Sequence, residues 1–508
     1  MSRKFGILLA VYISALAINL DITIVNVALP SIAEELDAST RGLQWVVDGY
    51  NLAFAALVLA AGSLSDRYGR RPALLIGLLG FAAMSVIGAF VATTGALVAA
   101  RVGMGVFAAL IFPTTLSIIS NTFTDRKQRA AALGGWGAVV GMGVALGPVT
   151  GGLLLEHFYW GSVFLALVPL ALIAAGLAFF LVPESRDPSV PALDKTGLVI
   201  SVAMLSLLTY TIIEAPERGW SSIETVASFA LTAVLIGIFV AVERRAEHPM
   251  LDVQLFTDRR FSAASGAVMI TFFSLAGFIF LITQYFQLVR GYSPLSTGAR
   301  IIPVAVSIAV ASVVGGLLAP RLGTRSVVTT GLVMFGAAMA WISTAAVDTP
   351  YATTIVAQMV LMGLGMGLIS TPATESIMLV LPPARAGVGS AVNDATRELG
   401  STLGVAVVGS LFSSVFGARL AEGAFAALPD GRLEQAQDSV AVAMGFGQAD
   451  PALLSAAQDS FMVGLQAACL LVAGVCFVGA IAAVIALPGR RFVPRGEVEE
   501  AEREPVAV

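Results

Sequence analysis

Residues 20–30 read LDITIVNVALP, an aspartate enclosed in an apolar run that extends from Phe5 to Leu29. A run of that length crosses a ~30 Å hydrocarbon core as one helix. An ionised carboxylate at its centre costs ~2.5–3.5 kcal/mol on insertion scales, so a chain that keeps one places it against a cavity or a partner. Outward from this stretch the pattern repeats. Fourteen apolar runs can be drawn, among them 42–62, 388–416 and 459–487, joined by short polar loops. Hydrophobic residues make up 57% of the 508 and charged ones only 12%, about half the charged share of a soluble domain. Mean hydropathy is +0.88. The expected fold class is therefore an all-α polytopic membrane protein embedded in a lipid bilayer.

Basic residues set the expected orientation. With an even number of spans, both termini share a face. Most of the 29 Lys and Arg residues fall in loops on the side of Arg3 and Lys4, including Arg67, Arg70, Arg71, Arg244, Arg245, Arg321 and Arg325. That side is expected to be cytoplasmic, in a cell (plasma or inner) membrane. The N-terminus shows no small-residue cleavage site and is read as a retained first helix. Cys469 and Cys476, seven residues apart on one span, are about 10 Å from each other along a helix, too far for a disulfide. No GxxxxGK[ST] phosphate loop is present, so ATP is not the expected energy source.

Charged residues within spans are the candidates for function: Asp21, Asp48, Arg101, Glu375, Asp394 and Glu398, with Arg397 beside the last two. His157 ends a span and His248 lies in a loop, so a titrating group must be a carboxylate. In the first span Asn19, Thr23 and Asn26 form one stripe, and Asp21 points nearly opposite, at ~100° per residue. The expectation is that the stripe packs on neighbouring helices and Asp21 faces a wet cavity. In the thirteenth span, GVGSAVNDATRELGSTLG, the same period puts Asn393, Arg397, Ser390, Ser401, Asp394 and Glu398 in one wedge, read as a pore-lining face. The alternative is an internal ion pair of Asp394 or Glu398 with Arg397 that only holds helices together. Desolvation favours the protonated form of a carboxylate. Such a group is suited to taking a proton on one side and losing it on the other. It also attracts a lipophilic cation, helped by aromatic faces such as Trp45, Tyr50 and Phe54.

These residues carry a resemblance to the major facilitator superfamily, and within it to the 14-helix drug:proton antiporters. LDITIVNVALP resembles that branch's first-helix signature. GSLSDRYGRRPALL, from Gly62, fits the superfamily's loop between helices 2 and 3, where Gly62 and Gly69 permit close approach and Asp66, Arg67, Arg70 and Arg71 make a charged latch. Arg101, in LVAARVGMGVFAALIFPTTL, stands where the family has an arginine implicated in proton transfer. GMGVALGPVTGG is similar to the antiporter motif of helix 5, with Gly143, Gly147, Pro148, Gly151 and Gly152 forming a surface at which the halves hinge. LQWVVDGYNLAFA resembles helix 2 of multidrug members, with Asp48 as a cation contact.

The resemblance implies two six-helix bundles about a pseudo-twofold axis with substrate near mid-membrane. The organisation expected from it is an N-terminal bundle over 1–182, two additional helices with linkers over 183–260, a C-terminal bundle over 261–487 with an outer insertion at 417–458, and a charged tail over 488–508. That insertion reads either as an amphipathic hairpin at the membrane surface or pore mouth, or as a tolerated surface loop. The implied function is proton-coupled efflux of lipophilic, cationic drugs by a monomer. Asp21, Arg101 and Glu398 would couple protons. Asp48, Trp45, Tyr50, Glu375, Asn393, Asp394 and Glu398 would bind substrate. The implied alternatives are export of an endogenous natural product, proton-coupled uptake, or a non-transporting sensor or scaffold. Neither catalytic activity nor a cofactor, metal or nucleic-acid partner is expected. Two departures stand out: Asn393 precedes Asp394 where exporters of this branch often have an adjacent acidic pair, and IIPVAVSIAVASVV lacks the acid that some carry in helix 10. Fewer acids and the added Arg397 argue against divalent cations.

Overall fold

The structure is a computed structural model that describes residues 3–123, 125–187, 193–380, 386–447 and 450–489. Among the described residues, fourteen helices are long and apolar enough to cross a membrane. They are α1 (Arg3–Glu35), α2 (Thr40–Tyr68), α3 (Arg70–Ala89), α4 (Thr94–Thr122), α5 (Arg126–His157), α6 (Ser162–Leu181) and α7 (Lys195–Arg218). The second half comprises α8 (Ile223–Glu243), α9 (Arg259–Val289), α10 (Pro294–Leu322), α11 (Thr324–Ile342), α12 (Tyr351–Val380), α13 (Ala386–Glu422) and α14 (Pro451–Ala486). Local chemistry starts several of them. Ser39, Thr93, Asp125, Asp194 and Asp450 each accept a backbone N–H of the helix that follows, satisfying one of the amide donors a helix leaves open at its N-terminus.

The packing shows an internal duplication. In the first half α2 packs on α4, α3 on α4 and α6, and α1 on α5 and α6. In the second half α10 packs on α12, α11 on α12 and α14, and α9 on α13 and α14. Shifting each helix number by eight converts the first set into the second. The contacts between the two six-helix bundles obey the same exchange, because α2 meets α13, α5 meets α10 and α1 meets α9. That is the signature of a pseudo-twofold axis between the bundles. The additional pair, α7 and α8, forms a hairpin whose first helix packs on both α2 and α13 and so covers their seam.

The outer excursion is shorter than 417–458. α13 continues to Glu422, and α14 begins at Pro451, because Asp450 caps it and Pro451 occupies its first turn. Between them lie short helices Asp430–Asp438 and Val440–Gly447. The latter packs on α1, α14 and the last turn of α9, and Ser439 donates to the Ala38 carbonyl at 3.4 Å. The excursion thus sits over the junction of the bundles. The tail from residue 490 lies outside the described residues, as does Arg385. Cys469 and Cys476 are free and buried on α14.

Candidate functional site

A cavity of about 1080 Å³ lies between the bundles, with walls from α1, α2, α4, α5, α9, α10, α12 and α13. Chain direction locates it. On α5 the lining residues Gly134, Gly137 and Gly141 belong to the first half of the helix; on α10 Val313, Gly316 and Leu317 belong to the second half. The other halves of these helices are pressed together. A Cβ built on Gly152 would lie 2.5 Å from the Leu295 Cα, and one on Gly298 would collide with the Pro148 carbonyl oxygen. Only glycine allows backbones to approach so closely. At the matching seam Gln44 Nε2 lies 3.3 Å from the Val405 carbonyl, 3.1 Å from that of Ala406 and 3.3 Å from Ser410 Oγ. Gln287 Nε2 donates to the Val27 carbonyl at 2.9 Å. The structure is therefore closed on the face of the 423–450 excursion, and its cavity lies toward the face that carries the N-terminus.

The helix-5 glycines divide between two neighbours. Gly143, Gly147 and Gly151 face α1, where a side chain would meet Asn19, Thr23 and Ile24, whereas Pro148 and Gly152 face α10 across the bundle boundary. One motif thus fixes α5 to its own bundle and forms the closed contact with the other.

The carboxylates of α13 supply the charge in the cavity wall. Asp394, Arg397, Glu398 and Ser401 all line it, one helical face as expected. No ion pair within 4.0 Å joins Arg397 to either acid among the described residues. Arg397 lies instead over the Phe272 ring, 5.1 Å from its centroid. Asn393 departs from the wedge: it is 3% exposed, outside the cavity lining, and its Oδ1 accepts from Thr374 on α12 at 3.2 Å. The side chain of Ser390 lies outside the described residues. Aromatic and thioether surface completes the wall, from Phe54, Phe112, Phe272 and Met366.

α1 reverses the expectation. The Asn19, Thr23 and Asn26 stripe lines the cavity, and Asp21, fully buried, points away from it into the N-terminal bundle. There both Asp21 carboxylate oxygens lie 2.7 Å from Arg101 Nη1. Arg101 is 1% exposed, donates through Nε to the Val46 carbonyl at 3.0 Å, and sits 4.4 Å from the Tyr50 ring centroid. The physical reason is the guanidinium. A buried permanent charge requires a partner, and among the described residues the acid that pairs with it is the one on α1. Asn19 and Asn26 donate their side-chain amides to carbonyls four residues back on their own helix, at 2.8 and 2.9 Å, leaving the amide oxygens available to the cavity.

Four more expected substrate contacts lie off the wall. Tyr50 is fully buried beneath Arg101, because the ring face offers the guanidinium a second attraction. Trp45 turns to α7, where its Nε1 donates to Glu214 at 3.4 Å and its ring meets Tyr210. Asp48 shares the face of Gln44 toward α13; it is fully buried, and neither oxygen has a partner. Glu375 is exposed near Arg260, outside the cavity. The α2 residues that do line it are Val47, Asn51 and Phe54. Their spacing of four and three marks one helical face, a signal present in the sequence that the charged neighbours obscured.

The α2–α3 loop makes its latch within one bundle. Arg70 Nε donates to Asp66 Oδ1 at 2.7 Å, the Arg70 and Asp187 amides donate to the Ser185 and Asp66 carbonyls, and Arg71 reaches the Phe179 carbonyl at the end of α6. Gly69 adopts φ +132°, a conformation that favours glycine. Arg67 stacks on Tyr68, and Gly62 packs on Pro113 of α4.

Comparison with known proteins agrees with this architecture. A family model described as Major Facilitator Superfamily matches residues 11–405. The chain is 38% identical over 415 residues to the multidrug efflux pump LfrA of Mycolicibacterium smegmatis, covering 82% of each chain. It is 33% identical over 506 residues to the multidrug resistance protein Stp of Mycobacterium tuberculosis, covering 96% of this chain and 92% of that one. The tetracenomycin C resistance and export protein of Streptomyces glaucescens is 32% identical, over 82% of this chain and 77% of its own. Among solved structures, a bacterial homologue of the human lysosomal transporter Spinster in an inward-facing, occupied conformation superposes with a TM-score of 0.67 at 18% identity, covering 97% of this chain and 99% of that one. By its helix arrangement, its motifs and these matches, the chain belongs to the Major Facilitator Superfamily.

Proposed function

We propose that the protein is a proton-coupled exporter of lipophilic cations, including drugs and other toxic compounds. The observation that carries this reading is the pair of carboxylates, Asp394 and Glu398, in the wall of an otherwise largely apolar cavity of about 1080 Å³. A cavity of that size holds a drug-sized molecule, and a few placed polar groups in apolar surface are what such sites present. The relatives named for multidrug efflux and resistance support the direction of transport. The excess of basic residues on the N-terminal face supports a cytoplasmic position for it, and in that orientation the cavity would load from inside.

Exchange follows from electrostatics. A proton and a cationic substrate neutralise the same two carboxylates, so binding of one favours release of the other. Loading from the cytoplasm displaces protons inward; after the bundles rock, protons from outside displace the substrate outward. Asp21 takes part only in a state in which Arg101 has moved off it, since here the ion pair occupies both oxygens. Every wall of the cavity comes from one chain, which supports function as a monomer. Proton flow serves as the energy source in this scheme, and no cofactor is invoked. A second reading, export of an endogenous neutral or zwitterionic product, is favoured by Arg397 in the wall and by the relative named for tetracenomycin C export.

Everted vesicles that have built up an acid interior test the proposal. Addition of a lipophilic cation should release the pH gradient through the wild type and not through Glu398→Gln or Asp394→Asn. In cells a protonophore should raise accumulation of the compound. Unchanged exchange in both variants, or lowered accumulation with the protonophore, would refute it.

A further inference from the structure

The bundles meet along two seams, α5 with α10 and α2 with α13, and both are shut on the face of the 423–450 excursion. Toward the N-terminal face the two seams differ. No residue of α2 from Thr40 to Ser63 is exposed, nor is any residue of α13 from Val392 to Gly417, and α7 packs on both helices. The other seam lacks such a cover. The main partners of α5 are α1 and α10, and those of α10 are α12 and α5, so the α7–α8 hairpin leaves their junction bare. Among the residues that line the cavity there, Met142 on α5 is 51% exposed and Leu317 on α10 is 66% exposed, with Val306 and Val313 similar. A Cβ built on Gly134, Gly137 or Gly141 would meet nothing within 4 Å. The two helices, in contact at Gly152 and Gly298, have parted.

Helical phase shows that this exposure reaches the outside of the protein. At ~100° per residue, Val306, Val313 and Leu317 fall within about 40° of one another and face the cavity. Val310 and Val314 continue the same arc by about 20° and 60° beyond Leu317; both are exposed, and neither lines the cavity. On α5 the arc runs from Gly141 through Ala138 and Met142, which line the cavity, to Leu146, which is exposed and does not. An exposed arc that passes unbroken from the cavity wall to the outer surface is the edge of a gap. The gap lies at hydrocarbon depth. Leu317 is one turn, about 6 Å, from Arg321, and Val306 is a further ~16 Å along the helix. Between Ile301 and Ala319 the polar side chains of α10 are Ser307 and Ser312, and between Ala131 and Leu155 those of α5 are Trp136 and Thr150. No charge crosses the opening.

We propose that the cavity fills sideways from the leaflet on the N-terminal face, by molecules dissolved among the acyl chains that pass between the first half of α5 and the second half of α10. The α7–α8 hairpin makes this the one lateral route by covering the opposite seam. The apolar rim admits the hydrocarbon part of a lipophilic cation, and Asp394 and Glu398, on the helix of the opposite seam, attract its charge from within. The cargo rests on the exporter reading above, whereas the opening stands on the geometry alone.

Two measurements on the full chain in lipid nanodiscs test opening and cargo separately. Ser401→Cys places a thiol on the cavity wall, with the parent chain giving the background from Cys469 and Cys476. A maleimide carried on an acyl chain should label it. Val310→Trp and Val314→Trp, together and singly, add bulk at the rim outside the cavity lining. Together they should slow that labelling about tenfold, the effect of ~1.4 kcal/mol added to a barrier. A small charged maleimide supplied from water should label at an unchanged rate, and so should the acyl probe when the bulk sits on the membrane side of α7 instead, in Val199→Trp. For cargo, stopped-flow binding of the lipophilic cation rhodamine 6G should show association and dissociation slowed together in the rim variant with Kd unchanged, because a route alters rates and not end states. Acyl labelling that is absent, or that the rim variants leave as fast as before, would overturn the opening. Slowed acyl labelling with dye association at the wild-type rate would overturn lateral loading of the cargo. Slowed acyl labelling in a chain whose wild type does not bind the dye would support the opening and refute the exporter reading instead.

Discussion

Replacing Asp21 by Asn removes one charge from a pair in which neither member meets solvent: Asp21 is fully buried and Arg101 is 1% exposed. What remains around the guanidinium is the Val46 carbonyl, the Tyr50 and Phe164 rings and the Met104 sulfur. Leaving a buried charge without its counter-ion costs about 3–5 kcal/mol. The Asn oxygen retains one bond to the guanidinium, and a hydrogen bond to a charged group contributes about 1.5–3 kcal/mol, so the net loss from about 3–5 kcal/mol should be about 2 kcal/mol. Arg101→Gln should cost a similar amount by stranding the acid. The double variant Asp21→Asn, Arg101→Gln carries two neutral amides and should recover most of the loss, giving a coupling of at least about 2 kcal/mol in a double-mutant cycle. Denaturant unfolding of the purified protein in detergent measures all four corners. Single losses below about 1 kcal/mol that simply add in the double variant would show that the pair does not hold α1 to α4 as the geometry requires. The same variants in vesicles separate structure from coupling. A double variant that recovers stability but not substrate-driven proton movement would give Asp21 a proton-handling role, whereas recovery of both would leave exchange to Asp394 and Glu398.

The two closed seams should respond separately. Gly298→Leu sets a side chain against the Pro148 carbonyl; overpacking of about 2 kcal/mol should shift the population toward the outward-open state roughly thirtyfold, read as faster labelling of Asn26→Cys by an impermeant maleimide from outside. Gln44→Ala removes up to two hydrogen bonds across the α2–α13 seam, worth about 1 kcal/mol each, and should raise the same labelling while leaving substrate affinity at Glu398 unchanged. Arg397→Gln takes a positive charge out of the cavity wall; at about 1 kcal/mol of repulsion in a wet site, cationic ligands should bind about fivefold tighter and neutral ones equally well in equilibrium titrations.

The parts of this protein that could be read from the sequence are those that one helix determines by itself. Fourteen spans follow from run length, and the Asp394, Glu398 and Ser401 wedge follows from the 100° step, because both depend only on residues of a single segment. The same step correctly separated Asp21 from the Asn19, Thr23 and Asn26 stripe. It gave their relative angle but not which of the two faced the cavity, since a helical wheel has no external reference. Arg101 supplies that reference: once two charged spans of one bundle are known to pack, their buried charges must meet, and the remaining stripe is left for the cavity. α2 makes the same point with three faces. Val47, Asn51 and Phe54 look into the cavity, Gln44 and Asp48 toward α13, and Trp45 toward α7, so charge and aromaticity alone marked the wrong members as substrate contacts. The close approach of Gly152 and Gly298 to the opposite bundle was legible as a tendency of glycine-rich helices to approach. The choice of partner was not, because it depends on the pseudo-twofold exchange that pairs α5 with α10 and α2 with α13. That exchange also explains why the cavity's carboxylates lie on α13: it is the counterpart of α5, so the first half of each faces the cavity while the second half seals its own seam. A transporter built on this exchange can leave charge in one half of a helix only if the other half carries the contact that opens and closes.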